Sequence, residues 1–487
     1  MRILLINPRY DETNYRYKVN KLCPPLGLGY IASMLIRDSH HVQILDMEAE
    51  KLEWENLPGR LAGQNPDLVG IHGTTPIAHF MARCASIVGK TWPKIPIIVG
   101  GPHASLLPES VFADMPEVDF LLRGEAEYTM PEFVRRLDKN GKNTDFTDIS
   151  GIGFRNGNGF FISDEIPLID DLDKIPFPAY DLFPLDSYFY RSRLVETGSD
   201  ERIFTIMTSR GCPNGCIFCC ESALYGRKFR MRSPENVVDE MEILANKYGV
   251  SHIVIYDASF MVDRNRVEKF CRLILDRNFK TSWRARVRAD QITEPIVNLM
   301  KRAGCTTLAI GVESGSQRLL DIMGKHTTIS EIENAFRIVR DAGLWTVGYF
   351  MFGTPGETKE ESFETVEFAK RLDPDWALFT HATPLPGTEL FDMTKDLLLT
   401  DDWSNFKFSA NSPVISYDEM TYKEMQDMMD YAFREFYVRK EWLSNRMKKM
   451  TSPAQTERLL DSFFYYVDKF LNSPSPQPAE VVTAKSM

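Results

Sequence analysis

Short apolar runs alternate with amphipathic stretches twice along this chain, and that double alternation limits the folds open to it. The first series has strand candidates at Arg2–Ile6, Val42–Leu45, Leu68–His72, Ile97–Val99 and Asp119–Leu121. Helical patterns fill the gaps over Leu26–Ile36, Ile77–Gly89 and Met130–Leu137. Strands alternating with helices predict a parallel, doubly wound sheet, whose ligands bind beyond the carboxyl ends of its strands. The turns there are Asn7-Pro8, Gly73-Thr74-Thr75 and Gly100-Gly101-Pro102-His103, small and hydroxyl residues that let a bulky ligand approach the backbone. A second series begins at Arg202, with strands at Phe204–Met207, His252–Tyr256, Ser282–Val287, Thr307–Val312, Trp345–Met351 and Trp376–Thr380. Six consecutive units predict a partial or full β/α barrel, with its site at the strand carboxyl ends.

Between the two series, Ile152–Phe154 and Phe160–Ile162 flank Asn156-Gly157-Asn158-Gly159, a hairpin signal, and Pro176-Phe177-Pro178 reads as a linker. After residue 400 the pattern turns helical and rich in Met and aromatics, over Met420–Val438 and Arg458–Leu471. These helices either pack on the barrel or form an apolar lid over a large substrate. The expected organisation is α/β. A Rossmann-like doubly wound domain occupies 1–140 and a hairpin and linker 141–200. A (β/α)6 partial TIM barrel follows over 201–400, then a helical C-terminal region over 401–472 and a disordered tail over 473–487.

Lys and Arg number 57 against 68 Asp and Glu, a net charge of −11, and a polyanion-binding chain would carry a basic surplus instead. Nucleic acid is therefore not an expected partner. No apolar run approaches the ~18 residues that span a bilayer, and no signal peptide precedes the first strand, so a cytoplasmic chain without a membrane span is expected. Eight cysteines are too few for a disulfide framework. Cys23, Cys84, Cys271 and Cys305 stand alone in apolar segments and read as buried structural residues.

The other four, Cys212, Cys216, Cys219 and Cys220, fall within nine residues. Gly211-Cys212-Pro213-Asn214-Gly215-Cys216-Ile217-Phe218-Cys219 is a C-x3-C-x2-C loop directly after a predicted strand. Three thiolates on such a loop can hold three irons of a [4Fe–4S] cube and leave the fourth open to another ligand. A structural zinc site competes with this reading, but it wants four ligands in spaced pairs, and Cys220 is poorly placed to be the fourth.

That loop, on the first strand of a β/α series, resembles the signature of the radical S-adenosylmethionine (SAM) superfamily. The resemblance continues through Arg288-Ala289-Asp290, Ala303-Gly304-Cys305, Gly311 to Ser316, Gly353 to Thr358 and Pro384 to Thr388. With the N-terminal domain it extends to the cobalamin (B12)-binding branch, over roughly residues 1–400. The resemblance implies that Cys212, Cys216 and Cys219 ligate the cluster and that SAM chelates the open iron. One electron from a flavodoxin- or ferredoxin-type donor then cleaves SAM to a 5′-deoxyadenosyl radical. It implies Phe218 near the adenine, Asp257 at the SAM amino group, Arg288 and Glu313 as SAM or substrate contacts, and Gly353 in a turn close to SAM. The family's acidic pair is broken here, because Ala258 follows Asp257.

For the N-terminal domain the resemblance implies cobalamin contacts at Asn7, Pro8, Leu26, Gly27, Thr74, Thr75, Gly100, Gly101 and His103, with the Thr74–His79 loop beneath the corrin. The B12-carrier motif D-x-H-x-x-G is absent after the first strand, so no histidine is expected on cobalt. His72, His79 and His103 read as packing or hydrogen-bonding residues. The implied activity is C-methylation of an unactivated sp3 carbon, the methyl group passing from SAM through methylcobalamin. Relatives in this branch also cyclise or couple carbons on porphyrins and lipids without methyl transfer. A cobalamin-binding sensor with a vestigial barrel is the non-enzymatic alternative. The substrate class stays open between a protein or peptide side chain and an apolar small molecule.

Overall fold

The structure, a computed structural model, describes residues 1–10, 23–142, 144–157, 159–191, 202–407 and 414–471. The tail expected over 473–487 lies outside the described residues, as does Asn158 of the hairpin signal. The first sheet contains β1 (Arg2–Asn7), β2 (His41–Asp46), β3 (Leu68–His72), β4 (Ile97–Gly100), β5 (Phe120–Leu122), β6 (Ile152–Asn156) and β7 (Gly159–Ile162), in the order β2-β1-β3-β4-β5-β6-β7. Its first five strands are parallel, and Ile3 to Ile6 are buried on both faces, as strands covered by helices on each side must be.

The hairpin is part of this sheet. β6 pairs antiparallel with β5 through Phe120–Phe154, and β7 closes the edge. The Pro-rich stretch is likewise packed. The Ala179 amide donates to the Gly29 carbonyl at 3.0 Å, and a Cβ on Gly29 would stand 2.8 Å from Pro178, so helix Leu26–Arg37 needs glycine there for the chain to cross it closely. Tyr180 continues into the second domain, donating to Glu240 at 2.5 Å.

That second domain holds β8 (Ile203–Ile206), a short ribbon of β9 (Ser209–Arg210) and β10 (Arg230–Met231), then β11 (His252–Ile255), β12 (Ser282–Val287), β13 (Cys305–Glu313), β14 (Trp345–Phe352) and β15 (Trp376–His381). β8 and β11 to β15 form a six-stranded, all-parallel sheet in sequence order, curled into a half-barrel. Trp283, Ala285 and Val287 point to the helical layer, so Arg284 and Arg286 occupy the opposite face of β12, with Arg288 just past its end. Helix starts are capped locally. Ser233, Thr328, Thr358 and Thr421 each accept an amide one turn on, and the last three form capping boxes with Glu331, Glu361 and Glu424.

The C-terminal helices Tyr422–Tyr437, Lys440–Met447 and Pro453–Phe470 pack on the outer edge of the half-barrel. Phe433 and Phe436 meet Phe379, and the Tyr437 hydroxyl donates to the Ala377 carbonyl at 2.7 Å. Among the described residues, no helix is long and apolar enough to cross a membrane. Cys84, Cys271 and Cys305 are buried as expected, but Cys23 is exposed, with its sulfur 3.8 Å from the Thr205 hydroxyl on β8. It precedes Pro24-Pro25, where the chain runs between the two domains before its helix can bury anything.

Candidate active site

The cysteine loop emerges from the β9–β10 ribbon beyond the end of β8. Gly211 has φ 78° there, and a Cβ would run into the Lys228 carbonyl and stand 3.0 Å from that of Gly226, so only glycine makes the turn. The Cys212 amide then donates to Gly226 and the Cys219 amide to Cys216. Ile217 holds the middle of the loop, donating to Met323 at 3.0 Å and accepting from the Leu390 amide at 2.9 Å. Cys212, Cys216, Cys219 and Cys220 are all free thiols of intermediate burial.

Burial pushes the Cys219 thiol up to about 12 and raises Cys216, where Lys325 and Arg288 oppose the shift. Such thiols ionise only against a strong local positive charge, which is the chemistry a bound iron cluster supplies. Among the described residues, no group of three or more His, Cys, Asp or Glu side chains, the loop cysteines included, is gathered as if around one ion. Phe218 packs on Ile217, Leu319, Met323 and Met351 at the rim of the half-barrel.

The carboxyl end of the half-barrel beside this loop is charged. Lys325 donates to Glu313 at 2.6 Å, and Arg288 donates to Asp290 at 3.0 Å and to the Lys325 carbonyl at 2.5 Å. Glu313 has φ 68°, a left-handed conformation costly for a side chain with a Cβ, at a register break between β13 and β14. Gly353, φ 86°, begins a turn closed by Glu357, which accepts from the Gly353 and Thr354 amides at 2.8 and 3.0 Å. Burial raises the Glu357 carboxyl to about 7 despite those donors.

Asp257 is placed differently from the expected SAM contact. Its carboxylate is buried and accepts from the Thr208 amide at 2.6 Å, the Thr208 hydroxyl at 2.5 Å, the Ser209 hydroxyl at 2.7 Å and the Ser209 amide at 3.2 Å. Both oxygens are spent fixing the approach to the cysteine loop, because the chain after β8 turns back across the end of β11.

In the N-terminal domain, Leu26, Gly27, Gly100 and Gly101 come together with His72 on a largely apolar cavity of about 160 Å³ at the carboxyl ends of β1, β3 and β4. A Cβ on Gly27 would have nothing within 4 Å, and one on Gly100 only the Leu122 carbonyl at 3.8 Å, so these glycines leave a cradle open. Open glycine positions of this kind let a bulky ligand such as cobalamin approach the backbone. Burial lowers the His72 imidazole to about 4, leaving it neutral.

The remaining expected residues lie off the cavity wall. Asn7 meets Asp46, which also accepts from the Tyr188 hydroxyl at 2.6 Å, and Pro8 is buried beside it. Thr74 is exposed and Thr75 buried, in a turn packed on Trp403–Asn405. His103 is fully buried, and among the described residues neither ring nitrogen has a hydrogen-bond partner.

The far wall of the cavity comes from the second domain, through Met207, Arg210, Leu224 and Tyr225. Arg210 is held by Glu127 at 2.5 Å and Glu125 at 3.3 Å, while Arg230 contacts Glu125 at 2.6 Å, all with side chains almost wholly buried. Sequence reading missed Glu125, Glu127, Arg210 and Lys325. The available signal was Gly124-Glu125-Ala126-Glu127, two acids following a strand at the ligand end of the sheet.

Comparison with known proteins agrees with this layout. Residues 206–369 match the Radical SAM superfamily model, and residues 15–134 match the B12 binding domain model. An uncharacterised methyltransferase of Pyrococcus horikoshii is 35% identical over 90% of this chain and 93% of its own. The anaerobic magnesium-protoporphyrin IX monomethyl ester cyclase of Rubrivivax gelatinosus is 28% identical over 91% of this chain and 78% of its own. The radical SAM methyltransferase TsrM of Kitasatospora setae, solved with cobalamin and a [4Fe–4S] cluster, superposes with a TM-score of 0.69 at 18% identity, covering 94% of this chain and 92% of that one.

Proposed function

The chain belongs to the radical SAM enzymes that carry a B12-binding domain, and from that premise we propose that it is a C-methyltransferase acting on an unactivated sp3 carbon. One observation carries the reading: the cavity cradled by Gly27 and Gly100 is walled on its other side by Met207 and Arg210, which lead directly into the cysteine loop. Arg210 stands two residues before Cys212, which supports a reading in which the two cofactor regions face each other. When bound, the cluster, SAM and cobalamin supply hydrogen abstraction by a 5′-deoxyadenosyl radical and a transferable methyl group.

The protein's part is to hold and shield. Cys212, Cys216 and Cys219 hold the cluster, with Cys220 left out. Arg288 and the Glu313–Lys325 pair present charge for the amino-acid end of SAM, while Phe218 and the Gly353 turn offer flat and close surfaces for its nucleoside. Asp257 acts through Thr208 and Ser209 as a positioning residue. The electron comes from an external donor of flavodoxin or ferredoxin type. The substrate is an apolar small molecule or a protein or peptide side chain.

The second reading is cyclisation, favoured by the cyclase relative that aligns over 91% of this chain. Anaerobically reconstituted protein supplied with cobalamin and CD3-labelled SAM in a cell extract decides between them. Methylation yields 5′-deoxyadenosine, S-adenosylhomocysteine and one labelled product in which a hydrogen of the substrate is replaced by CD3. Formation of 5′-deoxyadenosine without label transfer, with a product that has lost hydrogen, rejects methylation for cyclisation.

A further inference from the structure

Arg286 lies on the inner face of β12, two residues before Arg288 at the strand's end. Arg288 is committed to Asp290 and the Lys325 carbonyl. Arg286 is not so committed. Its guanidinium stacks on the Tyr256 ring, 3.7 Å from the centroid, and its polar neighbours are the hydroxyls of Tyr256 and Tyr349. Glu221 feels its charge at longer range, and among the described residues no carboxylate forms an ion pair with Arg286.

The strand register explains how these three meet. Arg286 pairs with Ala309 on β13, and Tyr349 on β14 pairs with Gly311. Two small residues on the intervening strand let the arginine and the tyrosine reach each other above the sheet. Tyr256 completes the group from β11's end and stays 45% exposed, a large aromatic face left open on the inner wall.

A half-buried guanidinium whose hydrogen-bonding neighbours are phenols, with Glu221 acting on it only at longer range, has room for a directly paired counter-charge. Guanidinium matches carboxylate with paired, charge-assisted hydrogen bonds, and phenol hydroxyls add neutral donors. One uncommitted cation suits a monoanion better than a phosphate dianion.

We propose that Arg286, Tyr256 and Tyr349 form a carboxylate-binding subsite on the inner wall of the half-barrel, which anchors an acid group of the substrate while the Tyr256 face stacks on an adjoining planar part. This rests on the radical-enzyme reading above for its purpose, and it narrows the substrate to an apolar or peptide-like molecule bearing a free carboxylate.

The test uses the full chain, reconstituted anaerobically with cluster, cobalamin and SAM, and compares binding of phenylacetate, phenylacetamide and phenyl phosphate by equilibrium dialysis. The expected result is phenylacetate bound at least about tenfold more tightly than its amide, as loss of a charged hydrogen bond predicts. Arg286→Gln removes that preference with SAM affinity unchanged within about twofold, and Arg286→Lys and Tyr349→Phe keep part of it. Three results would overturn the proposal. They are equal binding of acid and amide by the unaltered protein, preference for phenyl phosphate over phenylacetate, or loss of SAM affinity in Arg286→Gln to the same degree as phenylacetate affinity. A failed CD3 transfer alongside intact acid preference would fault the methyltransferase reading alone.

Discussion

Lys325 Nζ lies 2.6 Å from Glu313 Oε1, and Glu313 is held at φ 68° to meet it. Gly311 is part of the same arrangement, since a Cβ there would stand 2.5 Å from the Glu313 oxygen and 2.6 Å from the Lys325 nitrogen. The pair is nearly buried, with side chains 7% and 12% exposed. Lys325→Met strands the carboxylate and should cost about 3 kcal/mol in denaturant unfolding. The double variant Lys325→Met, Glu313→Gln should recover most of that loss. Equal stability of the single and double variants would show that the two charges do not depend on each other.

Replacing Cys212, Cys216 or Cys219 singly by Ala should abolish 5′-deoxyadenosine formation and sharply lower iron content after reconstitution. Cys220→Ser should leave both near the unaltered level, because Cys220 begins the short helix Glu221–Tyr225 as its cap residue. An iron content that falls equally in all four variants would remove the three-ligand assignment.

Gly27→Val tests the cradle without straining the fold, since nothing lies within 4 Å of the added carbon. Melting temperature should stay within a few degrees, while cobalamin retained through gel filtration drops at least about tenfold as the side chain fills the ligand's space. Full retention would move the cobalamin site elsewhere.

His103 gives a pH signature. Burial holds its imidazole down to about 4, against 6.5 in an unfolded chain. The unfolded state therefore takes up the proton first as pH falls, and stability is lost progressively below pH 6.5 until the folded form also protonates near 4. Between pH 7 and 5 this residue should remove about 2 kcal/mol, measurable as the difference in unfolding free energy. His103→Leu should lose less stability over that interval by the same amount, and parallel behaviour of the two proteins would refute the assignment.

Glu125 serves two arginines, Arg210 at 3.3 Å and Arg230 at 2.6 Å. Glu125→Ala leaves both guanidiniums short of charge and should cost about 3 kcal/mol or more, with faster proteolysis between the domains. Glu125→Gln should cost less, since it still accepts the Ile169 amide now bound at 2.7 Å. An alanine variant as stable as the glutamine one would show that charge and hydrogen bonding at this point are immaterial.

What could be read from sequence follows from physics. Parallel strands buried on both faces appear as continuous apolar runs, so Ile3 to Ile6 and Ile97 to Val99 declared themselves, as did the spacing of the three cysteines. The hairpin signal gave a turn but no partner strand, because pairing of Phe154 with Phe120 joins residues far apart in sequence. Asp257 could equally face a ligand or the neighbouring strand end, and only the reversal at Thr208 and Ser209 decides it. The pairing of Arg210 with Glu127 spans 83 residues and leaves no local pattern to detect.

The Glu125–Arg210–Arg230 junction also bears on how such chains can be recombined. A chimera spliced within residues 163–200 would join this half-barrel to a foreign first domain and carry Arg210 and Arg230 across without their acids. Arg210 stands two residues before Cys212, so the orphaned charge would disturb the root of the cysteine loop itself. A viable graft must therefore bring the Gly124–Glu127 segment along with the barrel, and the inheritable unit is larger than either domain.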